Sequence, residues 1–126
     1  MAAGHYHRWP YAIRILVDLG VDSYGLSVSW LRVSPRDAKG SNDGGPVFTA
    51  GWSGLLRMGS TPSSRCATGI PQVLEDDGVW RNREIARRFA DYAAIVYEAL
   101  GDVVTRWTTL NEPYWYCALL AEAHPE

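Results

Sequence analysis

The sequence predicts an α/β chain built from parallel strand–helix units, and two stretches carry that prediction. Val103, Val104, Trp107, Thr108, Thr109 and Leu110 form a β-branched, aromatic and apolar run suited to a largely buried strand. Ahead of it, Ile85, Phe89, Tyr92, Ala93, Val96 and Leu100 recur on one face of a helix from Arg83 to about Leu100. A second strand near the N-terminus completes a strand–helix–strand alternation, the pattern of βα units around a parallel sheet.

Taken in order, His5 to Leu19 reads as an amphipathic helix with Tyr11, Ile15, Leu16 and Leu19 on its apolar face. Pro10 suits its first turn and Gly20 its stop. Val21 to Val28 reads as a strand in which Val21, Tyr24, Leu26, Val28 and Trp30 alternate imperfectly, and Gly25 weakens it. Arg36 to Gly45 is a loop by composition. Thr49 to Ala67 shows neither helical nor strand periodicity. Asn82 is placed to cap the long helix and Gly101 to end it. Tyr114 to Ala123 is apolar and opens a further helix or leads to one.

Hydrophobic residues make up 47% of the 126 and charged residues 21%, the balance of a soluble globular chain. A net charge of −2 gives no reason to expect nucleic acid or an anionic membrane as partner. No apolar run reaches the roughly 20 residues that span a bilayer, and the N-terminus lacks the apolar core of a signal peptide. Cytoplasm is the expected location. Cys66 and Cys117 offer neither metal spacing nor a disulfide framework. His5 and His7 form a His-x-His pair without a third ligand at a recognisable spacing, so neither metal nor cofactor is expected. No residue pattern assigns an oligomeric state.

Chemistry is concentrated at Asn111-Glu112-Pro113, where the last strand stops. Pro113 removes a backbone donor and is expected to restrain Glu112 to extended geometry. Adjacent residues on a regular strand point to opposite faces, so a distortion at the strand end is needed to aim both side chains into one pocket. A carboxyl among Trp107, Tyr114, Trp115 and Tyr116 would be poorly hydrated and suited to general-acid work. The same tripeptide also fits a strand followed by a turn, with Glu112 solvated.

Thr109-Leu110-Asn111-Glu112-Pro113 resembles the acid/base motif of family 1 glycoside hydrolases, the β-glucosidase-like enzymes. Two more stretches resemble that family in the right order. His5-Tyr6-His7-Arg8, leading through Leu16 to Tyr24 to Ser27-Val28-Ser29-Trp30, is similar to its helix and second barrel strand. Pro71 to Asp76, Gly78-Val79-Trp80 and Arg88 to Ala93 look like its third helix and the run-up to it. The resemblance implies a fragment of a (β/α)₈ TIM barrel over residues 1–126, about three βα units, one of them degraded. A whole barrel takes about 250 residues. It implies a β-glycoside or oligosaccharide substrate, Glu112 as catalytic acid/base and Asn111 as the substrate-binding residue at the sugar 2-hydroxyl. The nucleophile of the family, a second glutamate in a Thr-Glu-Asn-Gly-like segment, has no counterpart here. Gly25 stands where the family carries an arginine beside the catalytic carboxylates. These residues alone are therefore expected to be inactive. The alternative is a non-catalytic gene remnant or a sugar-binding or interaction module.

The resemblance breaks between about Val47 and Ile70, where the family has a helix and a strand reading Gly-Ile-x-Pro-x-x-Thr-Leu-x-His-Trp-Asp. A shifted reading frame accounts for the break. Ala67-Thr68-Gly69-Ile70 written GCC-ACT-GGG-ATC contains, one frame over, CAC-TGG-GAT, which is His-Trp-Asp. Carried back through Met58 to Cys66, the same shift can encode Gly-Ile-Asp-Pro-Val-Val-Thr-Leu and then Cys or Arg. Residues 48–70 are therefore expected to be translated out of frame, with the frame restored at Pro71. A divergent loop insertion is the competing reading.

Overall fold

The computed structural model describes residues 5–34 and 61–114. Its first element, α1 (His5–Asp18), ends as a glycine-stopped helix should. Gly20 adopts φ 66°, its N–H reaches Val17 O at 2.9 Å, and Val21 N–H reaches Leu16 O at 3.1 Å. This pair of bonds is the Schellman arrangement that satisfies the last carbonyls. Pro10 does not sit in the first turn but inside the helix, where it removes a helical hydrogen bond.

The face that α1 buries shares only Leu16 with the expected one. Ile13 is buried and Trp9 and Leu16 pack beside it, whereas Tyr11 and Leu19 are 66% and 71% exposed. Apolar residues lie on two stripes of this helix, and periodicity alone does not choose between them.

β1 (Ser23–Ser29) runs into a single helical turn, α2 (Trp30–Val33). β2 (Thr61–Thr68) follows, then a short helix α3 (Gln72–Asp76), a 3-10 turn (Val79–Arg81), the long helix α4 (Glu84–Leu100) and β3 (Arg106–Leu110). The three strands form one parallel sheet in the order β1-β2-β3.

β2 corrects the sequence reading, which found no strand there. Its residues, Thr-Pro-Ser-Ser-Arg-Cys-Ala-Thr, carry a β-branched side chain only at the two end threonines and no aromatic one, and a proline inside a central strand is unusual. The strand forms because a parallel partner on each side pairs its backbone, Leu26 with Ser64 in β1 and Ser64 with Trp107 in β3. Of the barrel, three neighbouring parallel strands and no closed barrel are described.

α4 is the element the sequence describes best. Ile85, Tyr92, Val96 and Leu100 are buried as expected, joining Ile13, Val28, Trp30, Leu74 and Val104 in the core between helix and sheet. Asn82 caps it by accepting Glu84 N–H on Oδ1 at 3.0 Å, while its Nδ2 donates to Asp77 O at 3.1 Å. Gly101 ends it in right-handed geometry (φ −66°), so its value is space rather than conformation. A Cβ there would lie 2.6 Å from Tyr97 O.

Candidate active site

Because the strands are parallel, the C-terminal ends Ser29, Thr68 and Leu110 share one edge of the sheet, and Asn111 and Glu112 emerge from that edge. Ala67 faces Leu110, so Asn111 begins where β2 is also ending.

β3 is shorter and less covered than its sequence suggests. Val103 and Val104 belong to the turn after α4, their N–H groups held by Leu100 O at 3.0 and 2.9 Å; Val104 is buried in the core and Val103 packs against it, half-buried. In the strand itself Trp107 and Leu110 are half-buried and Thr108 and Thr109 exposed. The indole of Trp107 donates to Val104 O at 2.9 Å and lies 5.9 Å from the Tyr97 ring. It packs back onto the end of α4.

Glu112 is not extended. Its φ is 46°, a left-handed conformation that costs an L residue roughly 1–2 kcal/mol. Pro113 makes right-handed helical geometry unfavourable for the residue before it, yet Pro113 and Tyr114 are already helical. The chain therefore turns from strand to helix at Glu112 itself. The strand end is thus distorted in the backbone of the carboxyl-bearing residue itself.

Asn111 is half-buried and Glu112 exposed, and Tyr114 is exposed as well. The apolar enclosure expected around Glu112 is thus not supplied by Trp107 or Tyr114; Trp115 and Tyr116 lie outside the described residues. Gly25 sits within the β1 ladder opposite Ser63. The stretch 48–70, expected from the sequence to be out of frame, enters the described region only from residue 61, as β2 and the turn after it.

Two features at this edge escape a sequence reading. Gly69, at φ 70°, turns the chain out of β2, and its carbonyl accepts Leu31 N–H at 3.0 Å. Tyr92, legible only as part of an apolar face, donates its hydroxyl to Val28 O at 3.0 Å. Among the described residues no three His, Cys, Asp or Glu side chains gather as metal ligands, and no helix is long and apolar enough to cross a membrane. The resolved electrostatics lie elsewhere, on the outer face of α4. There Arg87 hydrogen-bonds Glu84 and holds its carboxyl below the usual range.

The family model for glycosyl hydrolase family 1 matches residues 1–122. The chain belongs to that family. Thermostable β-glucosidase B of Thermobispora bispora is 41% identical over 129 residues, covering 96% of this chain and 26% of its own length. β-Glucosidase A of Thermotoga maritima is 37% identical over 126 residues, covering 98% and 28%. The solved family 1 β-glucosidase of Thermotoga maritima superposes with a TM-score of 0.86 at 36% identity, over 91% of this chain and 26% of that one. The family 1 β-glucosidase of Exiguobacterium antarcticum gives 0.84 at 31% identity. The chain spans about a quarter of the length of the curated family 1 relatives it matches. Its described fold, with three parallel strands, superposes on part of the family 1 β-glucosidase fold.

Proposed function

We propose that these residues are the acid/base segment of a retaining β-glycosidase acting on a β-glycoside or oligosaccharide. The observation that carries the reading is the position of Asn111-Glu112 at the C-terminal edge of a parallel sheet, where barrel enzymes keep their catalytic groups. Glu112 protonates the glycosidic oxygen as the leaving group departs, while a second carboxylate about 5–5.5 Å away attacks the anomeric carbon. In the second half of the reaction Glu112 takes a proton from water, which displaces the sugar from the enzyme. Asn111 binds the sugar 2-hydroxyl, a contact that strengthens as positive charge develops on the ring. The left-handed turn at Glu112 lets two consecutive side chains serve one pocket.

These 126 residues carry one of the two carboxyl groups that the double displacement needs. By themselves they should release no more aryl aglycone from an aryl β-glucoside than buffer does. Turnover by the purified chain that disappears in Glu112→Gln would contradict this.

We further propose that residues 48–70 are read out of frame. The poor strand composition of β2 and a proline, Pro62, in this middle strand of the sheet favour this reading over a divergent insertion. Sequencing the coding DNA through codons 45–75 tests it: a disturbed frame that restores His-Trp-Asp supports the proposal, and an undisturbed frame rejects it.

A second reading, a non-catalytic remnant or sugar-binding module, draws on Gly25 and on the same β2. A rice relative, 35% identical over 116 residues, is itself named a probable inactive β-glucosidase. Specific sugar binding without hydrolysis once the barrel is complete would favour the binding module.

A further inference from the structure

The hydroxyl of Tyr92 is buried and donates to the main-chain carbonyl of Val28, at the point where the β1–β2 ladder loses step. Ser27 faces Arg65 but Ser29 faces Thr68, two residues along β1 against three along β2. β2 and β3 stay in step through the same stretch, Arg65 facing Thr108 and Ala67 facing Leu110. The mismatch therefore falls at the level where β3 ends and Asn111 begins. Bulges of this kind re-aim strand ends next to active sites.

Just beyond the step, Leu31 N–H holds the Gly69 carbonyl, and a Cβ on Gly69 would lie 3.2 Å from Ser29 Oγ. The ends of β1 and β2 are thus close and tied. Tyr92 is itself fixed, stacked on Trp30 with ring centroids 4.8 Å apart at 12°, while Phe89 meets Trp30 edge-on at 5.7 Å.

We propose that Tyr92 is a positioning residue. By holding the Val28 carbonyl it fixes the one-residue step, and so the height at which the end of β2 stands beside Asn111 and Glu112. The proposal rests on reading that edge as the sugar site, but its test involves no turnover, so its failure leaves the role of Glu112 untouched.

The test is hydrogen–deuterium exchange on the full chain and its Tyr92→Phe variant, which keeps the ring and removes the donor. The 26–31 segment should exchange roughly tenfold faster, the effect of one lost buried hydrogen bond, while 94–100 at the end of α4 is unchanged. A role in packing alone moves both segments together. That outcome, no change in either segment, or no protection of 26–31 in the parent chain would each overturn the proposal.

Discussion

α4 and β2 lie in the same small fold and are held there by different forces. α4 is anchored by what its side chains bury, with Ile85, Tyr92, Val96 and Leu100 all turned into the core. β2 is anchored by its backbone, paired with a parallel strand on each side although its composition disfavours a strand. A hydrophobic pattern encodes the first kind of anchoring and is silent about the second. That difference explains why the helix was legible in the sequence and the strand was not.

The largest effect that tests this contrast is on the packing side. Trp30 is fully buried and stacked on Tyr92, so Trp30→Ala should cost about 3–5 kcal/mol in a urea titration. A loss below about 1 kcal/mol would mean that the core around α4 is not what holds the chain. On the pairing side, branched residues should improve β2. Ser64→Val is expected to raise stability by up to about 1 kcal/mol, because it supplies a side chain suited to a strand. Destabilisation by this change would argue that β2 tolerates its small polar residues for a reason that composition misses.

Smaller still is the strain at Val79, a β-branched residue held at φ 46°. Val79→Gly should stabilise by about 0.5–1 kcal/mol, the relief of left-handed geometry less the flexibility that glycine adds to the unfolded chain. The smallest effect belongs to Glu84, an exposed carboxylate held below its ordinary range by the Arg87 hydrogen bond. A depressed carboxyl contributes its stability above the unfolded-state value and loses it as pH falls through the folded-state value. On so exposed a pair, Glu84→Gln should lower the denaturation midpoint only slightly at neutral pH and not at all in acid, so that its fall between the two is slightly flatter.

Much of the candidate site was written in local residue types. Pro113 marked the end of β3, and Asn111-Glu112 marked the candidate site proposed at that end. What the sequence did not reveal are properties of the assembled backbone. The left-handed φ of Glu112 arises because a strand must become a helix across one residue that precedes a proline. The buried face of α1 is legible only at Leu16, because Tyr11, Ile15 and Leu19 make as good an apolar stripe as Trp9 and Ile13. Val103 and Val104 have strand-like side chains, but the end of α4 captures their N–H groups before the ladder begins.

The most direct test of the central claim is to complete the barrel. Residues 1–122 would replace the matching segment of the Thermotoga maritima β-glucosidase, with 58–70 restored to the shifted frame, and kcat/KM would be measured on an alkyl β-glucoside. An alkoxide is a poor leaving group and needs a proton from the enzyme. The account predicts turnover that falls about 10²–10⁴-fold in Glu112→Gln, the usual worth of a general acid. A Gln variant that keeps the rate of the Glu112 form would contradict it.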